Sequence, residues 1–247
     1  MFKIITSLRK CVLVILFASI SSFSAAAEKT ILMLVTGASS MTNGKPTGLW
    51  LEEFAVPYKT FIDAGYSIKV VTSNGGVVPI DPRSNPKPEQ AIAWKDASER
   101  LQDTKPLSTV NAEDFAAIFI PGGHGVMFDL ANDPAAAKLI QEFDTQGKFI
   151  AAVCHGPAAL VNVVRKDGSL LVSGRKMTSF TDAEERAVRL DKDMPFLLET
   201  RLRELGAKIE TRDNFTIHAI RDGNLITGQN PPSSGATAEL MIKALSE

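Results

Sequence analysis

The chain has 247 residues, 45% of them hydrophobic, with a formal net charge of −1. That length supports one sizeable core in a single domain. The near-neutral balance gives no basic stretch for nucleic acid and no acidic tail, and no segment after the first thirty residues is apolar enough to span a membrane.

The N-terminus reads as an export signal. Lys3, Arg9 and Lys10 form a positive start, residues 11–20 are apolar, and Ser24-Ala25-Ala26-Ala27 is a small-residue cleavage pattern. Cleavage after Ala27 is expected to leave a domain of residues 28–247, exported to the periplasm or secreted, with no membrane attachment. Losing three positive charges takes the formal charge from −1 to −4. Cys11 leaves with the signal, so the mature chain keeps one thiol, Cys154, and forms no internal disulfide. A lone cysteine in an oxidising compartment needs a reason.

Residues 29–35 (KTILMLV) read as a first buried strand. Trp50, Phe54, Tyr58 and Phe61 follow at helical spacing, interrupted by Pro57 and ended by Gly65. Residues 67–72 (SIKVVT) form a second strand. Residues 75–110 show no clear period, and Pro79, Pro82, Pro86 and Pro88 punctuate them. They read as a long excursion with short helical pieces at Trp94 and Leu101, either a wall beside the active site or a surface insertion. Residues 116–120 (AAIFI) are a third strand, stopped by Pro121-Gly122-Gly123. Asp133 caps a helix with Pro134 at its first position, and Gly147 ends it. Residues 149–153 (FIAAV) are a fourth strand. Beyond it, helices are expected over 156 onward, 181–189, 196–205 and 233–245. Short strands are expected at 209, 216–220 and 225–227, with a turn at Asp222-Gly223. Alternating strands and helices with glycine-rich turns indicate a doubly wound, mostly parallel α/β sheet.

The chemistry concentrates where the fourth strand runs into Cys154-His155-Gly156-Pro157. A strand ending in a nucleophile with a helix directly after it is the pattern of a nucleophile elbow. A helix N-terminus aimed at the sulfur is expected to lower the thiol pKa. Gly122 and Gly123, after the neighbouring strand, leave backbone N–H groups open; the amides of Gly123 and His155 are expected to bind an oxyanion. A histidine base for Cys154 must be His124, His155 or His218, the three in the chain. His155 is adjacent, and His218 reads as a core or rim residue. An acid to orient His155 is expected at Glu185, or else Asp182 or Glu184. Glu52 and Glu53 lie about 100° apart on a helix, so roughly one of them faces inward. A buried glutamate near the cysteine is expected to have a raised pKa and to shuttle a proton.

Five motifs together carry a resemblance. They are residues 47–53 (TGLWLEE), 120–125 (IPGGHG), 153–157 (VCHGP), 180–185 (FTDAEE) and 223–231 (GNLITGQNP). The chain resembles the ThiJ/PfpI superfamily, and within it the branch of heat-inducible chaperones and glutathione-independent glyoxalases (glyoxalase III), over residues 29–245. The resemblance implies a flavodoxin-like sandwich related to class I glutamine amidotransferases, and homodimers. It matches Cys154 to the nucleophile, His155 to its neighbour, Glu185 to the acid that orients the histidine, and Glu53, rather than Glu52, to the glutamate paired with the cysteine. It implies a small carbonyl substrate of the methylglyoxal type and no metal or organic cofactor. A glutamine amidotransferase carries a late His-x-Glu. Here His218-Ala219-Ile220 has no acid, which argues against that activity. The rival expectations are amide or peptide hydrolysis or deglycation by the same thiol, and a holdase or redox-sensing role through reversible sulfenic acid.

Overall fold

In the computed structural model, residues 29–247 are described; the expected export signal falls outside them. Nine strands and seven α-helices are found among the described residues. They are β1 (Thr30–Leu34), α1 (Leu51–Asp63), β2 (Ser67–Thr72), α2 (Pro88–Ala93), α3 (Lys95–Arg100), β3 (Lys105–Pro106), β4 (Ala117–Ile120), α4 (Pro134–Thr145) and β5 (Phe149–Val153). The chain continues through β6 (Lys176–Met177), α5 (Asp182–Ala187), α6 (Leu198–Glu204), β7 (Lys208–Ile209), β8 (Ala219–Asp222), β9 (Leu225–Gly228) and α7 (Ser234–Leu245).

Seven strands form one sheet in the order β3-β2-β1-β4-β5-β9-β8, and β6 pairs with β7 separately. All pairs in the main sheet are parallel except β8 with β9. The order reverses between β1 and β4, and a parallel sheet opens a crevice at the carboxyl ends of its strands there.

Successive side chains of a strand point to opposite faces, so each central strand serves two cores. Ile31 and Met33 of β1, Phe119 of β4 and Val153 of β5 join α1 and α7 on one face. Leu32 and Leu34, Ile118 and Ile120, and Ile150 pack on the other face against Leu139, Ile140 and Phe143 of α4. These strands are apolar on both faces because helices cover both.

Several elements match the expected pattern closely. Asp133 Oδ1 accepts from the Ala135 and Ala136 amides at 2.8 and 3.3 Å, and Pro134 opens α4. Pro57 lies within α1 without ending it. Residues 156 onward differ: the strand runs into a five-residue 3-10 turn, Gly156–Leu160, not an α-helix. The helix expected over 181–189 stops at Ala187, because Arg189 takes φ +60° and the Leu190 amide folds back to the Glu185 carbonyl. The strand expected over 216–220 begins only at Ala219. Before it, Phe215 takes φ +60°, the Thr216 hydroxyl bonds the Asp213 carbonyl, and the His218 amide bonds Ser233 Oγ, so the backbone is committed to a turn.

Glu184 fastens that turn to the body. Thr181 and Glu184 form a reciprocal capping box at the start of α5. Glu184 Oε1 also accepts from the Phe215 amide at 2.8 Å, Gln229 Nε2 at 3.1 Å and Asn230 Nδ2 at 2.9 Å. Gln229 and Asn230 are fully buried. Gln229 Nε2 and Asn230 Nδ2 each keep a second bond, to the Arg212 and Thr216 carbonyls, so Glu184→Ala is expected to leave one N–H of each amide and the Phe215 amide unpaired and to destabilise the fold by about 3 kcal/mol, read as a lower urea midpoint. Glu184→Gln, which keeps an acceptor oxygen, should lose much less.

Candidate active site

Cys154 has φ +59°, a left-handed conformation that a residue with a side chain adopts at a cost of about 1–3 kcal/mol. Its backbone is pinned from both sides: its amide donates to the Gly228 carbonyl and its carbonyl accepts from the Phe180 amide, both at 2.9 Å. This is the strained elbow expected from the sequence. Gly156 is required by the same turn, since a Cβ there would lie 2.2 Å from the Ile120 carbonyl oxygen.

The sulfur sits in a chain of buried hydrogen bonds. Cys154 Sγ is 3.2 Å from His155 Nδ1, and His155 Nε2 is 2.8 Å from Glu185 Oε2. The third residue is thus Glu185. Asp182 instead bonds Thr200, and Glu184 faces the other way. Consecutive helix residues point about 100° apart, so one turn of α5 sends Glu184 to the 215 turn and Glu185 to the histidine.

His124 also enters the site. Its Nε2 is 2.9 Å from Glu185 Oε1, and its ring centroid is 4.0 Å from that of His155. Phe180 covers the His155 ring at 4.6 Å. Burial, then the nearby His155, pushes the His124 pKa down to about 4 despite its bond to Glu185. His124 is therefore neutral at pH 7. For Glu185, burial acts to raise the pKa. The attraction of His155 and the hydrogen bonds from both rings outweigh it and hold the carboxyl well below the usual range. His218 is half-buried just before β8 and takes no part.

Glu53 is fully buried, whereas Glu52 is only half-buried. Its Oε2 accepts from the Gly122 amide at 2.8 Å, and its carboxyl lies beside the Cys154 thiol. Oε1 has no partner of ordinary hydrogen-bond geometry. Burial raises the Glu53 pKa from 4.5 to about 8, against the pull of the neighbouring thiol and the Gly122 amide. The expectation of a raised acid is met.

The expectation of a lowered thiol is not. Burial first, and then the Glu53 carboxyl, raise Cys154 well above its usual pKa. Cys154 is only 3% exposed, and the turn after it is too short to supply a strong dipole. The resting site is a thiol beside an acid.

The glycines act differently from one another. Gly122 was expected among the oxyanion donors, but its N–H is already taken by Glu53. The Gly123 amide lies near enough to Cys154 to act against the rise of its pKa. Gly123 has φ +92°, and a Cβ there would lie 2.3 Å from the Gly48 carbonyl oxygen. A Cβ on Gly122 would come within 2.6 Å of both Glu53 Oε2 and the His155 amide nitrogen.

His124, His155 and Glu185 offer two ring nitrogens and a carboxylate within 4.8 Å of one another, a set that fits a metal ion in kind. Both carboxylate oxygens and both Nε2 atoms already satisfy each other. Sequence reasoning left His124 only as one of three candidate bases, with no role beside Glu185, and did not single out Arg83, whose Nη2 lies 3.2 Å from His124 Nδ1. The HG of the IPGGHG motif was the available signal for the first; nothing local marked the second.

The chain is similar to several known proteins. A glutathione-independent glyoxalase of Schizosaccharomyces pombe, hsp3101, is 32% identical over 81% of this chain and 88% of its own length. The crystal structure of glyoxalase III from Candida albicans superposes with a TM-score of 0.79 at 27% identity, over 88% of this chain and 98% of that one. A protein/nucleic acid deglycase, HchA of Pseudomonas aeruginosa, is 28% identical over 84% of this chain and 77% of its own length. The model of the DJ-1/PfpI family matches residues 47–244. With that match over most of its length, the chain belongs to the DJ-1/PfpI family.

Proposed function

We propose that the protein is a cofactor-independent glyoxalase that converts methylglyoxal-type 2-oxoaldehydes to 2-hydroxy acids, with Cys154 as nucleophile. The observation that carries this is a thiol held between a histidine base and a protonated carboxyl. His155 Nδ1 stands 3.2 Å from the sulfur, and the buried Glu53 carboxyl, held by the Gly122 amide, lies beside it. The glyoxalase names of the relatives support the same reading.

The chemistry follows from those positions. His155 takes the thiol proton as the sulfur attacks the aldehyde carbon, and Glu185 steadies the imidazolium through Nε2. The new S–C bond displaces the carbonyl electron pair onto oxygen, where the amides of Gly123 and His155 stabilise it until His155 returns the proton. The hemithioacetal carbon still carries its hydrogen. Glu53 removes that proton and redelivers it at the neighbouring ketone carbon, whose oxygen gains the other proton as the first carbon becomes a thioester carbonyl. No net oxidation occurs, because one carbon is oxidised as the next is reduced. Water then cleaves the thioester, releasing the hydroxy acid and the thiol.

A carboxyl with a pKa of about 8 is a stronger base than an ordinary glutamate, and roughly one molecule in ten is ionised at pH 7. Deglycation is the second reading, supported by the likeness to HchA. The burial of Cys154 favours a small free aldehyde over an adduct on a protein side chain. The same proposal puts the mature enzyme outside the cytoplasm, on the strength of the basic, apolar and small-residue pattern of residues 1–27.

Purified protein incubated with methylglyoxal should form lactate without glutathione, and Cys154→Ala should form none. Absence of lactate with release of lactate from glycated peptide would favour the deglycase instead. Glu53→Gln keeps an amide that can reach Gly122 and the sulfur but cannot transfer a proton. It should still be alkylated by iodoacetamide while kcat falls by roughly 10²-fold or more. Full turnover in this variant would remove Glu53 from the reaction.

Activity and stability should respond to pH in opposite directions. The base must be ionised, so wild-type kcat/KM should climb as pH rises towards about 8. Folding raises the Glu53 pKa above 4.5, so its contribution to stability is complete below pH 4.5 and is lost as pH rises through about 8. The Tm of wild type relative to Glu53→Gln should fall between pH 5 and pH 8.5; a constant difference would mean that the acid is not protonated in the fold.

A further inference from the structure

The excursion over residues 75–110 is stitched to the start of α1. The Leu49 amide donates to the Pro79 carbonyl at 2.8 Å, and the Asp81 amide donates to the Leu49 carbonyl at 2.9 Å. Ser84 Oγ accepts from the Leu51 amide at 3.1 Å, at an N-terminus whose own cap residue, Trp50, gives no side-chain bond. The same short segment therefore fixes the helix that carries Glu53 and also presents Arg83 to His124.

Arg83 is itself gripped. Its guanidinium pairs with Asp81, whose side chain is fully buried and is further held by Thr47 Oγ1 at 3.3 Å. Its Nη2 then meets His124 Nδ1 at 3.2 Å. A guanidinium has donors and no acceptor. Nδ1 facing it must present its lone pair, so the single proton of a neutral His124 resides on Nε2. That N–H points at Glu185 Oε1, 2.9 Å away. With Oε1 occupied by His124, the carboxylate turns Oε2 to His155 Nε2, and the other nitrogen of His155 faces the sulfur.

We propose that Arg83 is a positioning residue for the thiol: by fixing the tautomer of His124 it holds Glu185 in the orientation that keeps His155 against Cys154. The chain runs Asp81, Arg83, His124, Glu185, His155, Cys154. It rests on the reading of Cys154 as nucleophile and His155 as its base. Without Arg83, His124 is free to move its proton to Nδ1. Its Nε2 lone pair then faces a carboxylate oxygen, and Glu185 is driven out of place.

The other charged and titratable groups facing this chain are Glu53 on the far side of the sulfur and Glu184, which also acts on the thiol. Neither touches Arg83 in a hydrogen bond among the described residues, so replacing Arg83 leaves their contacts in place.

The test compares wild type, Arg83→Gln and Arg83→Lys by the pH dependence of Cys154 alkylation, which needs no substrate. Arg83→Gln should slow alkylation at pH 7 by about tenfold, the equivalent of one unit on the apparent thiol pKa. Arg83→Lys, which keeps a cationic donor, should recover much of it. Nitrogen-correlated NMR of the His124 ring should show an Nε2–H tautomer in wild type and a mixture in Arg83→Gln. In lactate assays kcat should fall in step with the alkylation rate at unchanged KM. An Arg83→Gln profile that overlays wild type, or an unaltered His124 tautomer, overturns the proposal. If Arg83→Gln lowers Tm so far that it is unfolded, the wild-type His124 tautomer still decides: an Nδ1–H ring would overturn it. Alkylation that shifts as expected in a protein that makes no lactate would sink the glyoxalase reading and leave the positioning role standing.

Discussion

One carboxylate shared by two imidazoles governs the site. Glu185, His124 and His155 are each at most 4% exposed. Removing a charge from water costs several kcal/mol unless hydrogen bonds replace the lost solvent. Glu185 is supplied on both oxygens, by a ring on each side. His124 stays neutral, so the pair of rings can carry a proton at His155 without repulsion from a second cation. The arrangement gives His155 a fixed direction and leaves its Nδ1 facing the sulfur.

Close backbone approach makes that arrangement possible. The segment holding Gly48 lies between the 79–81 backbone and the 122–125 turn, and a Cβ on Gly48 would come 2.3 Å from the Pro79 carbonyl oxygen. Gly123 meets Gly48 from the other side at the same distance. The two glycines let three chains stack with no side chains between them. As a result Glu53, one helical turn further on, reaches the Gly122 amide and the sulfur together. The strained φ of Cys154 is maintained by the same packing, through backbone bonds to Gly228 and Phe180.

Much of this was legible in the sequence because it is written locally. The apolar runs of β1, β4 and β5 follow from burial on two faces, and Asp133-Pro134 announces α4 by its own hydrogen bonds. Cys154 on an elbow is readable because strand, nucleophile and glycine are contiguous. The glutamates were harder. Glu53 and Glu185 each neighbour a second acid, and their selection came from family resemblance, since a helix face is not fixed until its packing partner is known. Arg83 and the two-stranded β6-β7 sheet were not legible, because they depend on partners 41 and 32 residues away in sequence, respectively. The turn at 213–216 also escaped notice: its anchor, Glu184, reads as one more acid on a solvated helix until Gln229 and Asn230 are folded against it.

The thiol marks the point where local reasoning fails for a physical reason. A dipole argument considers only the charge at the end of the next element. The sulfur instead responds to loss of water and to the acid beside it, and both oppose ionisation. Burial and the neighbouring acid together hold the sulfur as a thiol at rest, and in the proposed reaction the anion forms only as His155 takes the proton during attack. The burial that suppresses the anion at rest also shields the sulfur from oxidation, since reaction with oxidants follows thiolate character and exposure.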